Sequence, residues 1–512
     1  MLNIKITKIK LVILLTVINT FIFNLPVYIM VHLDFRLLII NLCLSLIVFL
    51  MASINKYSLW TVFIMCSIFA GINATLLFMY GLSMNGSLVL NIFNSIKKDI
   101  IIATFSYKLV FMFLLFTIAP VVLIVKYIKI QVLPYSSLRN KISAGLVLLL
   151  SFFIIFIFIQ YDVKKFKTSI NKISPINTLY SIAYASISMY KLKGIHPQDI
   201  VNSSELHYSK KSPPLDIVLI IGESANAKHQ HYNGYARNTN YYLEQEKNIV
   251  FFHNVLACRT YTVGSLPCML GHKSIKDYQL TEALGYKNVI SVFNKANFHT
   301  YWLGMTSLIG GKALILSAQD AKVRKSRADA RSSMSADEVQ YDSGVLKFLN
   351  KYFDSNNKYN FIILHMKENH FKYHKRYPRK FAKFMPESSE INSYDNAALY
   401  GDYIKQQYLH FFKNRNALVF YFSDHGESIR EEGGRFGGHG ANYKIAPKEQ
   451  RYIAGWAWAS DKYLSNIDNS KKFENIKKHS NQAISHDYVF HSLLDCANIK
   501  HDIINQSLSL CR

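Results

Sequence analysis

Three apolar, β-branched runs in the second half of this 512-residue chain each hand over directly to residues that can bind a metal. Asp216–Gly222 is followed by Glu223. Asn360–Leu364 is followed by His365 and leads to His370. Ala417–Ser423 is followed by Asp424 and His425. A carboxylate at the end of a buried run is costly unless something satisfies it. A divalent cation would, and carboxylate oxygens combined with imidazole nitrogens suit zinc. Taken singly, each residue has an ordinary structural use: Glu223 as an acid in the first turn of a helix, Asp424 as an N-cap, His425 as a surface histidine. Three runs ending this way in one domain shift the weight towards a shared site.

Group transfer at such a site needs a nucleophile, and Ser and Thr hydroxyls are poor ones until a base or a metal activates them. The stretch Cys258-Arg-Thr-Tyr-Thr-Val-Gly-Ser-Leu-Pro-Cys268 offers Thr260, Thr262 and Ser265. Pattern alone does not choose among the three. The stretch has no Gly-x-Ser-x-Gly elbow, so a serine hydrolase of that type is unsupported.

The elements that must position these residues alternate short strands with helical patterns. That alternation predicts an α/β domain over 215–512 with a mostly parallel sheet, the candidate residues gathering at the carboxyl ends of its strands. Upstream the composition changes. Residues 11–160 are dominated by Leu, Ile, Phe and Val, in five stretches near 11–31, 37–54, 58–80, 108–127 and 142–160. Each is long enough, or nearly so, to span a bilayer. This predicts a five-helix transmembrane domain over 1–162. The first stretch is too long for a cleaved signal peptide, and no small-residue cleavage site follows it.

Positive charge sets the orientation. Lys5, Lys8, Lys10, Lys56, Lys126, Lys129, Arg139 and Lys141 fall on one side, against Arg36, Lys97 and Lys98 on the other. The N-terminus is therefore expected inside and everything after residue 160 outside. Residues 163–214 form a connector. Ile173–Lys193 reads equally well as an amphipathic helix on the bilayer or an ordinary linker helix, and 194–214, with Pro213-Pro214, as an exposed linker. Asn91, Ser95 and Asp99, in an outward-facing loop, would share one helix face; spacing alone favours a solvated polar stripe.

Cysteine usage agrees with this topology. Cys43 and Cys66 sit in apolar runs and read as inert core residues. Cys258, Cys268, Cys496 and Cys511 form two locally spaced pairs without a Cys-x-x-Cys, which suits disulfides better than zinc, and disulfides imply an oxidising compartment. The net charge of +26, from 59 Lys and Arg against 33 Asp and Glu, suits an anionic partner. No nucleic-acid motif is present, so the anionic surface is taken to be membrane lipid.

The residues then resemble a family: the phosphoethanolamine transferases of the alkaline-phosphatase and sulfatase superfamily, as in lipid A modification. The resemblance covers nearly the whole chain. Four elements carry it. The first is Ile-Gly-Glu223-Ser-Ala with Asn233-Gly-Tyr-Ala-Arg237-Asn-Thr239-Asn. The second is Cys258-x3-Thr262 with Ser265-Leu-Pro-Cys268-Met. The third is Leu364-His365 with Asn369-His370 and Lys375-Arg376-Tyr377-Pro378. The fourth is Ser423-Asp424-His425-Gly426-Glu427-Ser428 with His439-Gly440 and Ile445-Ala-Pro-x-Glu449-Gln450.

This resemblance implies Thr262 as nucleophile. It implies Glu223, Asp424, His425 and Thr262 as ligands of one tightly held zinc. His370 and His439 would lie near the transferred phosphate, where they can also hold a second zinc. It implies a Cys258–Cys268 disulfide, with Cys496–Cys511 a further candidate pair. Asn91, Ser95 and Asp99 sit where the family contacts the donor headgroup, and Thr306 and Lys312 are the nearest substrate-holding candidates. The implied donor is phosphatidylethanolamine. The implied acceptor is lipid A or lipopolysaccharide core in preference to a glucan or an envelope protein. The implied location is a bacterial inner membrane with the catalytic domain in the periplasm, and a monomer is expected.

The chain departs from the family pattern at Asn226, where a basic residue is usual. It departs again at Glu368-Asn369-His370-Phe371, one residue shorter, and between Asp424 and His439, two residues longer. Three other readings remain: a phosphatase or sulfatase hydrolase, a phosphoglycerol transferase, and a non-enzymatic membrane protein. The last is disfavoured by the complete set Glu223, Thr262, Asp424 and His425.

Overall fold

The computed structural model describes residues 2–31, 35–53, 55–80, short pieces between 84 and 133, 138–161, 173–206, 213–306, 312–332, 339–429, 437–444 and 446–512, with a few single residues between. It divides into two compact units, residues 1–187 with 435–437, and residues 188–434 with 438–512.

In the first unit the leading apolar stretch is not one helix. Helix α1 (Lys8–Val17) passes into a π-helical segment, Ile18–Phe23, and the chain restarts as α2 (Leu25–Val31). The break falls at Asn24, whose amide donates to the carbonyls of Asn19 and Ser174 at 2.8 and 3.0 Å. Pro26, in the next turn, has no N–H to continue the ladder. Helices α3 (Phe35–Ala52), α4 (Lys56–Tyr80) and α5 (Leu138–Tyr161) coincide with the second, third and fifth stretches. The fourth lies largely outside the described residues, as do Asn91, Ser95 and Asp99. Among the described residues one helix, over Tyr57–Phe78, is by itself long and apolar enough to cross a membrane; Leu37–Ala52 and Lys141–Ile157 are shorter apolar helices. A parallel pairing of Leu2–Thr7 with Ile128–Leu133 was not expected from the sequence.

Burial in this unit is partly inverted. Thr16, Asn19, Thr20, Asn24, Asn41 and Ser45 are buried, while Leu146, Leu149, Leu150, Phe153 and Phe156 on α5 are exposed. The buried amides find partners: Asn19 donates to Ser45 Oγ and Asn41 to Tyr28 Oη, each at 2.7 Å. Helix α6 (Ile176–Lys193) repeats the pattern. Asn177, Ser181 and Ala185, at i, i+4 and i+8, are its buried stripe, and Leu179, Tyr180, Ile182 and Ile187 are exposed.

The second unit is the expected α/β domain. The seven strands of its largest sheet are β1 (Leu215–Gly222), β2 (Ile249–Phe251), β3 (His299–Gly304), β4 (Val323–Lys325), β5 (Tyr359–His365), β6 (Ala417–Ser423) and β7 (Gly455–Ala459). They lie in the order β2-β7-β6-β1-β5-β3-β4. β6, β1, β5, β3 and β4 are mutually parallel; β7 runs antiparallel to β6 and to β2. The sheet is thus mixed, with a parallel centre. β1 and β6 are buried along their whole length, as central strands covered on both faces must be. Alternation sorts their side chains into two cores. Ile217, Leu219, Ile221, Leu418, Phe420 and Phe422 enter one; Val218, Ile220, Val419 and Tyr421 enter the other. Being adjacent and parallel, β1 and β6 end together, Gly222 opposite Ser423, so the residues after them emerge side by side.

Candidate metal centre

Glu223 leaves β1, and Asp424 and His425 leave β6, at that shared edge. All three are at most 2% exposed. Asp424 directs Oδ1 to the backbone N–H groups of Ser224 and His425, at 3.2 and 2.7 Å. Its Oδ2 accepts no hydrogen bond and lies 3.4 Å from His425 Nε2. The His425 ring donates from Nδ1 to the Gly426 carbonyl at 2.9 Å. That bond turns Nε2 towards Glu223 Oε1, 3.3 Å away, the orientation a ligand imidazole needs. One ligand atom from each of the three residues lies within 4.8 Å of the others.

The buried acids and the imidazole shift one another's protonation. Burial, reinforced by the charge of Glu223, raises the Asp424 pKa. Burial opposes protonation of His425, yet Asp424 and Glu223 together push its pKa up to about 10. A buried carboxylate oxygen without a partner, two acids and a directed imidazole make a donor set that fits zinc.

Two glycines set the approach. A Cβ on Gly222 would strike the Tyr421 hydroxyl and a Glu368 carboxylate oxygen, and one on Gly426 would strike the Glu449 carbonyl.

The three hydroxyls of the Cys258–Cys268 stretch separate cleanly. Thr260 is buried and donates to the Ala441 carbonyl at 2.6 Å; Ser265 is buried and donates to the Arg259 carbonyl at 3.2 Å. Thr262 opens helix α7 (Thr262–Met269) and is half-buried. Its hydroxyl donates to Glu223 Oε2 at 3.2 Å and lies 3.2 Å from His425 Nε2. The loop is closed by the Cys258–Cys268 disulfide, and Cys496–Cys511 is also bridged. Cys43 and Cys66 are free and buried. His486 ties loop to sheet: it accepts from the Cys258 N–H at 3.1 Å and donates to the Ser423 carbonyl at 2.9 Å. Burial lowers its pKa to about 4, which keeps the ring neutral for both roles.

His439 joins the centre, its ring 4.3 Å from that of His425. It donates from Nδ1 to Glu427 Oε2 at 2.8 Å. Glu427 is buried, its other oxygen has no partner, and His425, Glu427 and His439 form a second group with metal-ligand spacing. Glu427 received no role from the sequence, although its place two residues after His425, across the close-packed Gly426, was visible there. His370 is half-buried and donates from Nδ1 to the Phe371 carbonyl at 2.8 Å. Its loop is fastened to β1 by Asn369 N–H donating to the Glu223 carbonyl at 3.1 Å. Burial lowers the His370 pKa, with Glu223 opposing. Thr306 reaches the same edge after β3 and meets His365 Nδ1 at 2.8 Å. Lys312 opens the helix Lys312–Ala318.

The family described as Sulfatase matches residues 216–499, more than half of the chain, and the chain belongs to that family. Within it, the chain is 31% identical over 293 residues to Kdo(2)-lipid A phosphoethanolamine 7''-transferase of Escherichia coli strain K12, covering 55% of this chain and 51% of that one. It is 33% identical over 316 residues to phosphatidylethanolamine transferase Mcr-1 of Escherichia coli, covering 58% of each. These alignments take in little more than half the length of either relative. The integral membrane lipooligosaccharide phosphoethanolamine transferase A of Neisseria meningitidis has the same fold, with a TM-score of 0.77 over 98% of both chains at 20% identity.

Proposed function

We propose that the chain is a zinc-dependent phosphoethanolamine transferase. It moves the headgroup of phosphatidylethanolamine to a cell-envelope acceptor, lipid A or lipopolysaccharide core in preference to a glucan or an envelope protein. One observation carries the reading: of three candidate hydroxyls, only that of Thr262 faces the buried Glu223–Asp424–His425 group. Kinship with enzymes named for phosphoethanolamine transfer supplies the chemistry.

Glu223, Asp424, His425 and Thr262 would hold the zinc, which when bound lowers the pKa of the Thr262 hydroxyl and draws charge from the phosphoryl oxygens. Thr262 Oγ1 attacks phosphorus. The bond to the glycerol oxygen breaks, and diacylglycerol leaves with a proton. His370 and His439 face the transferred phosphoryl group, neutralise its developing charge, hand a proton to the leaving oxygen and take one from the entering oxygen. With Glu427, His439 would also serve a second zinc. The acceptor oxygen then attacks phospho-Thr262 and frees the threonine. Five membrane spans over 1–162, with 163–214 as connector, would hold the periplasmic domain beside its lipid donor and raise the donor's effective concentration. Asn91, Ser95 and Asp99 would touch the donor headgroup. The inverted burial of the first unit supports this placement.

The test is mass spectrometry of envelope lipids from cells carrying the active chain or its Thr262→Ala variant. Gain of phosphoethanolamine only with the active chain is expected. Gain of phosphoglycerol would overturn the donor, and free phosphoethanolamine with no modified acceptor would make the protein a hydrolase. Activity retained after verified removal of zinc would end the metal reading.

A further inference from the structure

Beside the metal centre, cations gather at the carboxyl ends of β3 and β5. Arg327 opens the helix Arg327–Arg331, and its N–H donates to the Thr306 carbonyl at 3.2 Å. Thr306 in turn meets His365 at the end of β5. Lys367 lies two residues past His365. Arg376 returns to the same loop, donating from Nε to the His370 carbonyl at 2.8 Å and from a terminal nitrogen to the Phe371 carbonyl at 3.0 Å. The carboxylate that faces them, Asp342, is occupied: its two oxygens accept the backbone N–H groups of Lys367 and Glu368 at 2.7 and 2.8 Å.

Lys367 is 9% exposed, and among the described residues no acid or other side chain pairs with its ammonium. Burial lowers its pKa to about 6, and Arg376, Arg327 and Arg331 push the same way. Burial also lowers Arg376, which lies within electrostatic reach of both Glu223 and Arg327. A buried ammonium among guanidinium groups is costly until an anion joins it. Guanidinium forks match the oxygens of a phosphate.

We propose that Lys367, Arg327 and Arg376 form a binding site for a phosphate monoester on the acceptor, beside the reacting centre. This rests on the transferase reading above. The site selects acceptors by their charge and presents the neighbouring oxygen to phospho-Thr262.

The experiment uses the full chain in detergent, with Lys367→Met, Lys367→Arg and Arg327→Gln. Arg376 is left intact because it also holds the His370 loop. Two steps are followed separately: the burst of diacylglycerol from phosphatidylethanolamine, and transfer to a phosphorylated glucosamine lipid or its dephosphorylated counterpart. The expected result is a KM for the phosphorylated acceptor raised at least tenfold in Lys367→Met and Arg327→Gln and restored in Lys367→Arg. The burst and the dephosphorylated acceptor should change less than twofold. A burst that falls in step with transfer would assign the cations to the donor phosphate and overturn the proposal. An equal fall for both acceptors would make the cluster structural and overturn it too. If the unaltered chain gives no burst, the transferase reading fails on its own. Titration with inorganic phosphate then still decides the site: equal affinity in the unaltered chain and Lys367→Met sinks it, and a tenfold difference upholds it.

Discussion

The two units of the chain differ in what they leave outside and in which polar groups they bury. In residues 1–187 small polar side chains, Asn19, Asn41 and Ser45 among them, are inside, and Leu149 on α5 is 65% exposed. In the α/β unit Leu219, on a central strand, is fully buried, and buried charge concentrates where β1, β5 and β6 end. On the membrane placement proposed above, the difference follows from the solvent each surface is made for. In hydrocarbon, helices gain little by hiding Leu from one another, and hydrogen bonds between small polar groups hold them together. In water the apolar residues supply the driving force, and a buried carboxylate needs a separate reason. At Glu223 and Asp424 the reason offered here is a metal.

The comparison can be broken in four places. Thr262→Ala should lower transfer at least a thousandfold, about 4 kcal/mol in the barrier. Its melting temperature should stay within a few degrees, because the hydroxyl serves the centre and not the core. Loss of fold alongside activity, seen by circular dichroism, would contradict that. Leu219→Ala should destabilise the α/β unit by about 2–5 kcal/mol in denaturant titration; a change under 0.5 kcal/mol would mean β1 is not the core strand described. Leu149→Arg should cost about 2.5–3.5 kcal/mol of membrane insertion, while Leu149→Ala should leave folding nearly unchanged. Normal membrane integration of the arginine variant would refute the lipid-facing reading of α5. The smallest effect is expected at Asn41→Leu. It removes a bond to the Tyr28 hydroxyl and should cost about 0.6 kcal/mol, the average for hydrogen bonds between membrane helices. A stabilising result would show that the buried polar stripe is dispensable.

Much of the candidate site is legible because its candidate ligands sit directly after strands, and apolar β-branched runs are the clearest signal a sequence carries. Glu223, Asp424 and His425 were found that way. Thr262 was not separable from Thr260 and Ser265 by pattern, since the choice depends on which hydroxyls the folded backbone uses up. The Ala441 and Arg259 carbonyls take two of them. Family resemblance supplied Thr262 before the geometry did. Glu427 escaped notice because it shares a loop with candidate ligands already named. The interruption at Asn24 was out of reach for a different reason: its partner, Ser174, lies 150 residues away. The antiparallel edge formed by β7 and β2 left no mark in the sequence beyond short runs.

The two glycines at the metal edge have a consequence for how such a chain can vary. The atoms facing Gly222 and Gly426 leave no room for even one methyl group. Any other residue at Gly426 must push the loop bearing His425 away from the Glu449 backbone. In a randomised library selected only for activity, these two positions should therefore retain a single letter of the alphabet. The positions proposed to carry the chemistry should tolerate conservative exchange, such as serine for Thr262. Information about the centre is thus stored most tightly in residues that have no side chain at all.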